Sequence, residues 1–190
     1  MNHHLSEHNI AFKTSRLTVD EVSSDLNAKS KSNLLSRTIE LLSPQVVKSL
    51  PPFFQDISSL ELAEIWFKKM TSESRFLVVK SIDNSLTIGF LFLYEGDCRT
   101  VHIGYLLGEE YWCKGYAKEF LNGLINWCAS RKLISTLVGG VEKANIASAK
   151  LLESLGFVEK VGENEPVVFY EYWLSKPKPP RSAIPVERAK

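Results

Sequence analysis

The sequence is poor in cysteine, in surplus charge and in long apolar runs, and each shortage excludes something. Three cysteines in 190 residues, Cys98, Cys113 and Cys128, are too few and too scattered for a disulfide framework. No Cys-x-x-Cys or His-x-x-x-His spacing offers a zinc site, and no convincing nucleophilic triad stands out. A net charge of +1 provides no global field to recruit nucleic acid or a membrane surface. Apolar runs such as Thr87 to Tyr94 fall far short of the ~20 residues that span a bilayer. Met1-Asn2-His3-His4 lacks a basic patch leading into an apolar core, so no signal peptide is expected. With so little cysteine, a reducing, cytoplasmic compartment is the expected setting.

What is present is ordinary for a globular chain: 44% hydrophobic and 24% charged residues. One domain of this length buries enough surface to need no staples. Residues 1–9 are polar and read as a loose N-terminus, residues 10–175 as a single folded domain, and residues 176–190 as a tail. The tail holds four of the eight prolines (Pro177, Pro179, Pro180, Pro185) and five basic residues against Glu187. Proline at that density opposes helix and central strand, leaving a solvated tail or a docking arm for an acidic partner.

Within the domain, Leu17-Thr18-Val19 alternates and predicts a first strand. Residues 24–50 read as short helices, interrupted by Pro51-Pro52. Ser58 with Glu61 three residues later predicts a capping box, after which Ala63, Trp66, Phe67 and Met70 share a helical face. Phe76 to Lys80, Thr87 to Tyr94 and Thr100 to Leu107 then read as three strands joined by short turns, an antiparallel meander. The pattern changes after Gly115. A helix with Ala117, Leu121, Leu124 and Cys128 on one face precedes a strand at Thr136 to Val141. A second helix, Asn145 to Leu155, closes at Gly156. Phe157 to Val161 and Val167 to Leu174 end the domain as a hairpin around Gly162-Glu163-Asn164-Glu165-Pro166. The expectation is a mixed α/β sheet of six or seven strands, mostly antiparallel and flanked by helices.

The junction Tyr111-Trp112-Cys113-Lys114-Gly115-Tyr116-Ala117-Lys118-Glu119 carries the main functional signal. A helix opening at Gly115 presents free backbone N–H groups and the positive end of its dipole, and small Gly115 and Ala117 allow a phosphate to approach. Lys114 and Lys118 add charge. Taken alone, such a step also serves plain turns and packing.

The stretch from Ile103-Gly104-Tyr105 through this junction resembles the acyl-CoA signature of the GNAT acetyltransferase superfamily. It is most similar to the branch that contains ribosomal-protein N-terminal acetyltransferases. Asn145-x-x-Ser148 followed by Leu155-Gly156-Phe157 resembles that branch's second motif, and Thr14-Ser15-Arg16-Leu17-Thr18 its opening. The resemblance implies the GNAT fold, in which two parallel strands, here 100–107 and 136–141, splay to admit the pantetheine arm of acetyl-CoA as cosubstrate. It places Tyr105, Leu106 and Leu107 along the splayed edge. The backbone of Cys113, Lys114, Gly115, Tyr116, Ala117 and Lys118 would lie around the diphosphate, with Asn145 beside the pantetheine. Cys113 stands where the branch usually has glycine, unfavourable if that position needs positive φ. It is either a redox-sensitive thiol or a bystander. The tyrosine that many members use as general acid is replaced by Leu152, so that role is vacant or falls to Ser148.

The implied reaction is acetyl transfer to a primary amine, with a protein or peptide N-terminus as the leading acceptor. A small amine such as a polyamine, amino sugar or aminoglycoside is the alternative, as is a silent acetyl-CoA-binding module. His102 is the first candidate general base, since histidine ordinarily titrates at about 6.5; the plain alternative is a solvated strand histidine. Ser148 is the candidate proton donor and Asn145 an equally good helix cap. The protein is expected to act as a monomer or homodimer, without metal, nucleic acid or membrane.

Overall fold

The computed structural model describes residues 8–22, 26–131, 134–160 and 166–174. Eight strands form one sheet: β1 (His8–Lys13), β2 (Leu17–Val22), β3 (Arg75–Ser81), β4 (Thr87–Glu95), β5 (Thr100–Leu107), β6 (Thr136–Glu142), β7 (Val158–Lys160) and β8 (Val167–Trp173). Their order is β1-β2-β3-β4-β5-β6-β8-β7. Every pairing is antiparallel except β5 with β6. Runs such as Phe-Leu-Val-Val in β3 and Ile-Gly-Phe-Leu-Phe-Leu in β4 are apolar at successive positions because helices cover both faces.

One face carries α1 (Ala28–Leu41), the short α2 (Pro44–Val47) and α3 (Leu60–Glu73). Their buried residues close on Phe76, Phe90, Phe92 and Leu106 from the sheet. The other face carries α4 (Tyr116–Ala129) and α5 (Ile146–Ser154), whose core includes Leu121, Leu124, Cys128, Leu137 and Leu152. Burial raises the Cys128 thiol to about 11, which leaves it a neutral core group.

The expected meander, the two later helices and the closing hairpin are all present. Four details differ. The sheet has eight strands, not six or seven, because His8–Lys13 pairs along β2 as an edge strand, so Leu17–Val22 is the second strand. That strand starts within the stretch expected to be loose; what fixes it is long-range, Phe12 packing on Trp127 with ring centroids 6.1 Å apart. The helix cap is Ser59, whose side chain accepts the Leu62 N–H, not Ser58. The stretch expected as short helices contains the 14-residue α1, capped by Asn27. Finally, β7 begins at Val158 and ends at Lys160. Residues 1–7, most of the predicted hairpin turn and the tail lie outside the described residues.

Candidate active site

The parallel pair is closed at one end and open at the other. Thr100, Val101, His102 and Ile103 are in register with Thr136, Leu137, Val138 and Gly139. Beyond that point β5 runs on from Gly104 to Leu107 bound to β4, and β6 from Gly140 to Glu142 bound to β8, with no shared register. Two strands that should exchange hydrogen bonds instead diverge, and backbone groups along the fork are presented to whatever lies between them. Tyr105, Leu106 and Leu107 all lie on this diverging segment. The side chain of Leu107 is buried toward α4 and that of Leu106 toward α1 and α3, so both offer backbone to the fork.

At the open end of β5 the chain turns through Glu109–Tyr111 into α4. Three side chains hold this turn. Trp112 Nε1 donates to the Leu107 carbonyl at 2.9 Å. Arg37 of α1 donates to Glu110 at 3.0 Å and to the Tyr111 hydroxyl at 3.3 Å. Arg16 donates from Nη1 to the Lys114 carbonyl at 3.1 Å. Cys113 has φ +57° and Gly115 φ +78°, both in the left-handed region. Cysteine therefore occupies a conformation that favours glycine, at a cost of about 1–2 kcal/mol. The first intrahelical bond of α4 runs from Glu119 N–H to the Gly115 carbonyl, and Gly115 provides no side-chain cap. The N–H groups of Gly115, Tyr116, Ala117 and Lys118 thus point out of the helix end without an intrahelical acceptor. With exposed Lys114 and Lys118 beside them, this helix end has the donors and charge that an anionic group needs.

A polar pair spans the fork on the same face. The Tyr105 hydroxyl donates to Ser148 Oγ at 3.2 Å, linking β5 to the first turn of α5. Burial raises Tyr105 to about 12, the Ser148 bond pulling slightly the other way, so the phenol stays protonated at neutral pH. Asn145 caps α5 through Oδ1, which accepts the Ser148 N–H at 3.1 Å. The cap and the serine are therefore one local unit. Leu152 is fully buried, so that position belongs to the core. From the sequence, the tyrosine hydroxyl role is vacant or falls to Ser148, and Tyr105 has a backbone role only. Two-residue alternation along β5, which puts Tyr105 on the same face as Val101 and Ile103, was the available signal.

His102 is exposed and lies on the opposite face, in the row Tyr94–His102–Val138–Glu171 across β4, β5, β6 and β8. It stands one residue before the last parallel pair. The structure does not bring it against Ser148. On this second face Phe169 reaches over Gly140, a Cβ at which would lie 3.2 Å from the ring, and Phe169 and Trp173 are both exposed. Among the described residues, no group of three or more potential metal ligands occurs and no helix is long and apolar enough to cross a membrane.

Comparison with known proteins agrees with this geometry. The model of the acetyltransferase (GNAT) domain matches residues 33–158. An uncharacterised N-acetyltransferase, YjdG of Bacillus subtilis, is 31% identical over 100 residues, which cover 52% of this chain and 57% of the relative. The matched stretch thus spans little more than half of that relative's length. Among solved structures, RimL, a ribosomal alpha-N-protein acetyltransferase in complex with coenzyme A, is similar with TM-score 0.72 at 16% identity, covering 87% of this chain and 98% of that one. A spermidine N-acetyltransferase from Vibrio cholerae gives TM-score 0.65 at 19% identity, covering 85% and 96%. These two likenesses concern the fold. The forked parallel pair, the helix end beyond it and the family match lead to one conclusion: the chain belongs to the GNAT acetyltransferase family.

Proposed function

We propose that the protein transfers the acetyl group of acetyl-CoA to a primary amine, by direct attack of the amine on the thioester. The observation that carries this reading is the loss of register after Ile103 and Gly139, directly behind the open helix end of α4. In this reading, the diverging backbone of Tyr105 to Leu107 pairs with the pantetheine. The amides from Cys113 to Lys118 receive the diphosphate, and Asn145 meets the arm from the α5 side.

A thioester in the fork has one side on each face of the sheet. Its sulfur faces α5, where Tyr105 and Ser148 are hydrogen-bonded. The amine approaches from the His102 face. His102 takes the amine proton, the nitrogen–carbon bond forms and the carbon–sulfur bond breaks. The thiolate receives a proton from Ser148, which Tyr105 replenishes. A backbone N–H at the fork stabilises the oxyanion, a contact commonly worth ~2.7–4 kcal/mol. Placement on opposite faces therefore suits a base and an acid that serve opposite ends of one reacting group.

The acceptor we favour is a protein or peptide N-terminus. The exposed side chains of Phe169, beside Gly140, and of Trp173, opposite Thr136 at the other end of β6, give an extended chain a surface to lie on. Two carboxylates that could draw a polycation are already paired, Glu64 with Lys31 and Lys68 and Glu110 with Arg37. The three unpaired cysteines support the cytoplasm as the place of action. The test is thiol release from acetyl-CoA over a panel of N-terminal Ala and Ser peptides, spermidine and an aminoglycoside. Peptides should turn over fastest. Fastest turnover of spermidine overturns the acceptor assignment, and binding of acetyl-CoA without amine-dependent release identifies a silent module. Replacing His102 with alanine should remove the acidic limb of the kcat/KM profile; an unchanged limb removes His102 from the mechanism.

A further inference from the structure

We infer that Arg16, 99 residues before Gly115 in the chain, is a positioning residue for the diphosphate of acetyl-CoA, acting through the Lys114–Gly115 peptide. The inference rests on the acetyl-CoA reading and adds a third element, the β1–β2 turn, to the site.

Arg16 is held by a dense set of bonds. Its Nε and Nη2 both lie 2.7 Å from Glu119 Oε2. Its backbone N–H donates to Glu119 Oε1 at 2.8 Å, and the Thr14 hydroxyl donates to the same oxygen at 2.6 Å. Burial would raise Glu119, but these donors and the guanidinium charge hold its carboxyl below the usual range, so it is ionised at neutral pH. The guanidinium carbon stacks 4.2 Å from the centroid of the Tyr116 ring. The remaining nitrogen, Nη1, donates to the Lys114 carbonyl.

The peptide bond explains what that last contact does. No peptide bond among the described residues is cis, so the Lys114 carbonyl and the Gly115 N–H point in opposite directions from one rigid plane. Pinning the carbonyl on Arg16 turns the Gly115 N–H the other way, out of the helix end. A charged donor on the oxygen also polarises the amide. The same pairing neutralises Glu119, whose carboxylate in the first turn of α4 would otherwise oppose an incoming anion.

The helix is shaped to accept this turn. Glu119, Gly123 and Trp127 recur at four-residue intervals on one stripe of α4. Glu119 meets Thr14 and Arg16, and Trp127 meets Phe12. A Cβ at Gly123 would lie 2.6 Å from Phe12 and 2.9 Å from Thr14, so only glycine lets the hairpin lie this close.

The test compares CoA binding by calorimetry, and turnover of acetyl-CoA against acetylpantetheine, in wild type, Arg16→Ala and Arg16→Lys. Arg16→Ala should raise the CoA Kd roughly tenfold and lower the acetyl-CoA to acetylpantetheine ratio of kcat/KM by about as much, because acetylpantetheine has no diphosphate. Arg16→Lys keeps a cation beside Glu119 but has no fork to reach Lys114 as well, so it should stay within about threefold of Arg16→Ala. It also carries the test if Arg16→Ala does not fold. Wild-type affinity in folded Arg16→Ala, full recovery in Arg16→Lys, or an equal loss with both substrates overturns the inference. Failure of the wild type itself to bind CoA overturns the acetyl-CoA reading as well, and is recognised by occurring before any substitution.

Discussion

The two faces of the sheet are packed with different materials. Under α1 and α3, Trp66, Phe76, Phe90 and Phe92 form a continuous set of ring contacts, with centroids 5.2–6.4 Å apart. Under α4 and α5 the fully buried side chains are mostly aliphatic: Leu121, Leu124, Leu137 and Leu152. Aromatic rings interlock in preferred offset and edge-to-face geometries, so this layer ties α3 to β3 and β4, the strands beside β5. The aliphatic layer is interrupted by small residues and by the Tyr105–Ser148 pair, where the parallel strands part. The ring-packed layer and the Tyr105–Ser148 pair thus lie on opposite faces of the sheet.

That division can be broken in graded ways. The largest effect should come from Phe76→Ala, which removes a fully buried ring from the aromatic layer. A loss of about 3–5 kcal/mol is expected in denaturant unfolding. Next, Ser148→Ala should lower kcat about a hundredfold, or ~2.7 kcal/mol, while the unfolding midpoint hardly moves. A larger change in acetyl-CoA KM than in kcat would make Ser148 a binding residue.

Tyr105→Phe should cost roughly tenfold in kcat, measured by steady-state turnover. It should also flatten the alkaline end of the stability curve. Tyr105 is raised to about 12 in the folded chain, whereas an unfolded tyrosine ionises at about 10. Its contribution is fully present below pH ~10 and is lost as pH rises toward about 12. A Tyr105→Phe protein with the same alkaline slope as wild type would show that the phenol is not buried against α5. The smallest effect, of opposite sign, is expected from Cys113→Gly: a gain of about 0.5–1 kcal/mol in thermal unfolding, from relief of the left-handed conformation.

Comparing the expectations with the structure shows where local signals end. The meander of β3, β4 and β5 was legible because each run is bounded by short polar turns and its partner is next in the chain. The start of α4 was legible because Gly115 marks it, and the helical face of α3 because Ala63, Trp66, Phe67 and Met70 recur at helical spacing. Strand β1 was not, since an edge strand with one neighbour needs little apolar content and its packing partner, Trp127, is remote. Ser58 and Ser59 are both good caps by type, and only the geometry of the turn selects the second. The Tyr105–Ser148 bond joins residues 43 apart on a strand and a helix, with no signature in either segment alone.

Residue order alone specified the order of elements, the antiparallel meander and the glycine-marked helix end, because turn chemistry and hydrophobic period act over a few neighbouring positions. It could not specify the exact point at which β5 and β6 part, the hydroxyl that reaches α5, or the arginine that turns the Gly115 amide outward. Those depend on groups that meet after the sheet has closed, up to 103 positions apart in the Arg16–Glu119 pair. Their energies come from geometry across elements, which no local window of sequence contains.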